Sequence, residues 1–253
     1  MTPDEYVRSV LARYLVATGP GSAAHNAGQG LYPHIAKWAN QYLLGITFSG
    51  SYAKGTAIRG GTDVDLFISL RHETPENLRD IHRKLVKFLT DLGLSPKEQN
   101  VSVGVTFSGI RVDLVPAKKQ SGNTSDHSLY RRKANTWTQT NVAAHISLVQ
   151  GCGRRDEIRA LKIWRQLHGL DFPSFYLELI VIRALYGQLK NQPSANILRV
   201  LNYLATNFET ARVVDPANSA NIVSDDLTAA DKKRIAVQAS NSIKEPNWGQ
   251  IIW

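Results

Sequence analysis

Three aspartates stand where apolar residues would be expected. In GTDVDLFISL, Asp63 and Asp65 interrupt a run of Val, Leu, Phe and Ile, and in IRVDLVP, Asp113 interrupts another. Side chains at i and i+2 of a strand share a face. Asp63 and Asp65 are therefore expected to project together, with Val64 and Leu66 turned to the core. Carboxylates held this close repel one another and lose hydration, so something positive must offset them. Magnesium, or manganese in its place, takes oxygen ligands and bridges protein carboxylates to substrate phosphates. Two such ions about 3.5–4 Å apart can clamp the attacking and leaving oxygens of a phosphoryl transfer. Asp113 is placed as the third carboxylate. One strand aspartate alone reads as an edge position facing water; three of them on two strands of a small sheet read as a metal site.

Upstream lies Gly50-Ser51, in FSGSYAKGTAIRGG. A Gly-Ser turn lets backbone approach a ligand closely and offers N–H groups and a hydroxyl, a nest suited to phosphate oxygens. Lys54 and Arg59 can add charge. Alone the pair is an ordinary turn with glycine at positive φ. Ahead of Asp-x-Asp on a strand it is far more specific.

The elements that must position these groups follow from periodicity. Helical spacing covers 4–17 and 31–44, with a Gly- and Ser-rich loop between them. Residues 45–49 and 63–70 read as strands flanking a loop, or a loop with one helical turn, at Gly50–Gly61. Thr74 and Pro75 are placed to open a helix running to about Gly93. Alternation over 99–107 and 110–116 about Ser108-Gly109 signals a hairpin. Residues 117–136 are polar and basic and read as a mobile loop. Beyond Trp137 the periodicity is helical, over 139–150, 154–168, 174–190, 194–206 and 228–242. The expected fold is α+β: a small mixed sheet with flanking helices over 1–137, then a helical domain over 138–253, with a cleft between them.

Composition narrows the chemistry. The formal charge of +9 favours a polyanionic or phosphate-bearing partner. The single cysteine, Cys152, excludes an internal disulfide and any multi-cysteine metal site. No apolar run is long enough to cross a membrane, and the N-terminus lacks the pattern of a secretory signal. A cytoplasmic protein is the expectation.

GSYAKGTAIRGGTDVDLFI with the later RVDLV resembles the polymerase-β-like nucleotidyltransferase superfamily. Within it, the wording is most like the branch of oligoadenylate synthetases, CD-NTases, cyclic GMP-AMP synthase and archaeal-type CCA-adding enzymes. The resemblance extends to IRALKIWR and FPSFYLELI, and by it Lys162 and Ser174 would contact the triphosphate. Phe175 would stack on the base, with Tyr176 a competitor for that role. VVDPANSANIVSDD is similar to an Asp-Pro-Ala-Asn element of the branch, with Asp215, Asn218 and Asn221 as loop-ordering residues. The resemblance implies a template-independent enzyme that joins NTPs into a cyclic or linear oligonucleotide messenger and releases pyrophosphate. A nucleic-acid or protein activator, a downstream effector that senses the product, and a role in antiphage defence come with it. The same residues would also serve a terminal transferase acting on RNA or DNA ends, or an enzyme that nucleotidylates a protein or small molecule. A binding module with a dead site would not need all three aspartates.

Overall fold

A computed structural model describes every residue from Met1 to Trp253 except Thr62. Ten α-helices and nine strands are formed by the described residues. In chain order the first are α1 (Pro3–Arg13), α2 (Ala23–Ala39), β1 (Leu43–Phe48), α3 (Gly50–Lys54), β2 (Val64–Leu70) and α4 (Leu78–Asp91). Then come β3 (Lys97–Glu98), β4 (Val103–Phe107), β5 (Ile110–Lys119), β6 (His127–Arg131) and β7 (Thr136–Thr140). Helices follow as α5 (Val142–Gly151), α6 (Arg155–Leu167), α7 (Ser174–Ala184) and α8 (Pro193–Thr206). The chain ends with β8 (Val214–Asp215), β9 (Asn218–Ile222), α9 (Ala229–Lys244) and α10 (Trp248–Ile251). The expected α+β class, with a mixed sheet and flanking helices, is what forms.

The chain divides into two compact units. One holds residues 17–55 and 62–147 and contains the sheet, in the order β1-β2-β5-β4-β3 with β6 and β7 continuing from β5. β2 and β5 run parallel; β1 with β2 and β4 with β5 are antiparallel. Val64, Leu66, Ile68, Val112 and Leu114 pack on Leu31, Ile35, Leu85 and Leu89 of α2 and α4. The other unit is mainly helical and holds residues 1–16, 56–61 and 148–253. It is not a continuous stretch after residue 137. α1 joins it because Val7, Val10 and Leu11 bury their apolar stripe in the same cluster as Trp164, Tyr176 and Phe208.

Several elements differ from the periodicity reading. The expected loop before residue 31 is the first half of α2, capped by Ser22, whose side chain accepts from the His25 N–H. The misleading glycines are close-approach sites. A Cβ on Gly28 would lie 2.6 Å from Phe48, and one on Gly30 would lie 2.7 Å from Phe107. α4 starts not at Thr74-Pro75 but at Leu78, with Asn77 as its cap; the Thr74 hydroxyl instead donates to the Arg71 carbonyl. The expected mobile loop at 117–136 is largely the end of β5, β6 and the turn into β7, anchored by buried His127 and Leu129. Polar cross-strand neighbours concealed that alternation.

Candidate active site

β2 and β5 bring two of the three aspartates side by side. The parallel register sets Asp65 directly opposite Asp113. Asp63 precedes the first residue of β2, and Val64 and Leu66 are turned inward, as the alternation requires. All three carboxylates are half-buried. Asp63 pairs with Arg111, Nη2 to Oδ2 at 2.9 Å, an arrangement no spacing in the sequence revealed. Asp113 Oδ1 accepts from Gln99 Nε2 at 2.7 Å. Asp113, Gln99, Arg111, Lys97 and Thr106 line a cavity of about 210 Å³.

Gly50 explains why Gly-Ser precedes Asp-x-Asp. It opens α3 at φ +56°, and an ideal Cβ there would stand 1.8 Å from Asp65 Oδ2. Only glycine lets the backbone come this close to the carboxylate. The Ser49 N–H donates to the Asp65 carbonyl at 2.8 Å and locks the same approach. Ser51 lies one residue into α3, half-buried, and Lys54 closes the helix with its side chain buried.

Burial raises Asp113 above the ordinary carboxylate range, and the charge of Asp63 adds to the rise. Hydrogen bonds from Gln99 and Ser102, with the charge of Arg111, oppose it. A raised pKa means that the ionised form disfavours folding. The cost is present above the raised value and absent below the ordinary one. Asp113→Asn should therefore melt at a higher temperature than the wild type in neutral buffer. The gain should begin to shrink as pH falls through the raised pKa and be gone below the ordinary one, a trend that thermal melts across pH 3–8 would read. A neutral-pH loss of stability would show that the carboxylate is not strained.

The donor set suits a hard cation: it is all carboxylate oxygen, with unfavourable negative charge at Asp113. Among the described residues, however, no three His, Cys, Asp or Glu side chains stand as a ligand cluster. Arg111 supplies the positive charge that Asp63 meets.

The remaining expected contacts lie in the helical unit. Lys162 is buried, its Nζ donating to Glu178 Oε1 at 2.7 Å and Thr56 Oγ1 at 2.9 Å. Ser174 is exposed at the first position of α7, and its hydroxyl accepts from Arg165. Phe175 is half-buried against the core. Tyr176 does not compete to stack on a base: it is fully buried among Phe172 and Phe208, and burial pushes its hydroxyl up to about 12. Asp215 is buried and orders its loop, accepting from the Ala217 N–H and from Asn221. Asn218 accepts from the Ala220 N–H.

Removing one partner of a buried ion pair strands the other charge. Lys162→Met is thus expected to cost about 3–5 kcal/mol in denaturant unfolding, with Lys162→Met/Glu178→Leu restoring most of it. A triphosphate contact would show separately, as a raised KM in the restored double variant.

Residues 35–134 match the model of the nucleotidyltransferase domain family. Those residues thus form a nucleotidyltransferase domain. The chain is 26% identical over 215 residues to a cyclic AMP-AMP-AMP synthase of Escherichia coli, covering 69% of this chain and 67% of that one. It is 30% identical over 189 residues to a CCA-adding enzyme of Thermococcus gammatolerans, but spans only 36% of that protein against 68% of this one. In fold it is similar to the Bradyrhizobium diazoefficiens CD-NTase CdnG in complex with GTP, at a TM-score of 0.80 and 12% identity over 96% of this chain and 91% of that one. The likeness of fold to that CD-NTase thus extends over nearly the whole chain.

Among the described residues no helix is long and apolar enough to cross a membrane.

Proposed function

We propose that this nucleotidyltransferase joins NTPs, without a template, into a cyclic or linear oligonucleotide messenger and releases pyrophosphate. The observation that carries the reading is the register of Asp65 against Asp113, with the Gly50 backbone packed on Asp65. Asp63, Asp65 and Asp113 would hold magnesium or manganese, which supplies Lewis acidity to the phosphates when bound. For Asp63 this requires exchanging Arg111 for the cation. The N–H groups and hydroxyl of Gly50-Ser51 would cradle the donor phosphates, with Lys54 behind them. In the bond-forming step a ribose hydroxyl oxygen attacks the α-phosphorus of a second NTP. The bond from that phosphorus to the leaving pyrophosphate breaks, and the hydroxyl proton passes to an Asp113 oxygen. An upward-shifted carboxylate is better matched to that proton than an ordinary one. Lys162, Ser174 and Phe175 retain their nucleotide roles on the resemblance alone. By the same likeness the product would act on a downstream effector in antiphage defence, with a protein or nucleic acid as activator.

Incubating the purified chain with labelled NTPs, and separately dNTPs, in Mg²⁺ or Mn²⁺ and weighing the products tests this. Small oligonucleotides are expected. The similarity to a CCA-adding enzyme favours one second reading, terminal addition to RNA. Label appearing on added tRNA and nowhere else would replace the messenger reading with it.

A further inference from the structure

The turn between β3 and β4 carries a residue that the aspartate motif does not include. Gln99 donates from Nε2 to Asp113 Oδ1 at 2.7 Å across the strands. Its own backbone is fixed at both ends. The Gln99 N–H donates to the Ser102 carbonyl at 2.9 Å, and the Gln99 carbonyl accepts from Arg132 Nε at 3.1 Å. The next residue is tied to the same β6–β7 turn: the Arg132 N–H donates to the Asn100 carbonyl at 2.8 Å, and the Lys133 N–H to Asn100 Oδ1 at 3.1 Å. The amide is thus delivered to Asp113 from a braced position and does not merely drift against it.

Gly104 supplies the second observation. It lies opposite Asp113 in the β4–β5 register. An ideal Cβ there would stand 2.9 Å from Asp113 Oδ1 and 3.1 Å from Gln99 Nε2. The side chain is missing at a strand position where it would wedge into the Gln99–Asp113 hydrogen bond. An interior strand glycine weakens a sheet, so it marks a close approach.

We infer that Gln99 is a positioning residue for nucleotidyl transfer: it fixes the carboxylate of Asp113, and Gly104 keeps the space that this requires. The inference rests on the reading of Asp113 as a site carboxylate. Groups that orient metal-binding or proton-accepting carboxylates typically contribute about 10–100-fold in affinity or activity. Removing Gln99 loosens the Asp113 rotamer by taking away one of its hydrogen bonds, that of Ser102 remaining, without touching the donor nucleotide. The loss should therefore fall on kcat and on cation affinity and leave the KM for NTP in place.

The test compares the wild type with Gln99→Leu, Gly104→Ala and Asp113→Ala. Each is measured by thermal melting, by Mn²⁺ binding without nucleotide (electron paramagnetic resonance), and by steady-state product formation. Gln99→Leu and Gly104→Ala should melt as folded proteins, bind Mn²⁺ roughly tenfold or more weakly, and lose kcat about 10–100-fold at nearly constant KM. Two chemically opposite changes, one removing the donor and one inserting a wedge, should give one signature. Wild-type values of kcat and Mn²⁺ affinity in both folded variants, beside an inactive Asp113→Ala, would overturn the role of Gln99 alone. A wild type that neither binds Mn²⁺ nor makes product would overturn the reading of the site, and this inference with it.

Discussion

Asp65→Ala should abolish nucleotidyl transfer while leaving the fold intact. Asp65 is the carboxylate that stands opposite Asp113 and lies against the Gly50 backbone. A cation held there would contribute several kcal/mol of charge stabilisation in the transition state. Losing about 4 kcal/mol lowers the rate roughly a thousand-fold. The backbone anchors survive, because the Ser49 N–H bonds to the Asp65 carbonyl and not to its side chain. The melting temperature should therefore hold or rise, since one of several crowded negative charges has gone. Single-turnover product formation and a thermal melt on the same sample check both halves. A rate within a few-fold of the wild type would remove Asp65 from the chemistry. A rate loss accompanied by unfolding would say nothing special about the carboxylate, so Asp65→Asn, which keeps the shape and removes the charge, should reproduce the thousand-fold loss in a folded protein.

What could be read in the sequence was what alternation and close spacing encode. Asp63 and Asp65 lie two apart, so any strand places them together, and buried Val64 and Leu66 fix the face. That Asp113 sits on an adjacent strand was expected from its apolar run; that it pairs with Asp65 in particular depends on a parallel register that no local signal states. The partners Arg111 and Gln99 were not found, because each acts through a tertiary contact and carries no motif. Their signal, where there is one, is indirect. Arg111 stands two residues before Asp113, on the same strand face, and Gln99 faces an otherwise unexplained strand glycine at 104. The glycines of α2 misled for the complementary reason. Gly28 and Gly30 signal a loop to local propensity, but the helix needs them to admit Phe48 and Phe107. Lys162 looked like a surface lysine or a phosphate ligand, and only the packed helical core reveals that Glu178 and Thr56 hold it.

The second large effect is expected at a residue with no side chain. Gly50→Ala introduces two faults at once. The backbone stands at φ +56°, in the left-handed region, where an alanine costs roughly 1–2 kcal/mol. The new Cβ would also fall 1.8 Å from Asp65 Oδ2 and 2.5 Å from its Cγ, so the carboxylate or the first turn of α3 must give way. The strain alone would appear only as lower stability. Displacement of the carboxylate would appear in the rate, where misplacement by about 1 Å can cost on the order of a hundred-fold. We expect both, with the rate loss persisting at low temperature where the variant is fully folded. Gly45→Ala on β1 is the control, since a Cβ there meets nothing within 4 Å, and it should leave the rate unchanged. Coupling to Asp65 separates the two faults. In an Asp65→Ala background only the Cβ contact at 3.1 Å is left of the contacts with residue 65, so the stability lost to Gly50→Ala should fall towards the backbone strain. An undiminished stability loss in that background would mean that Gly50 serves only its own turn. A smaller one would show that the glycine is there to let the chain lie against the carboxylate.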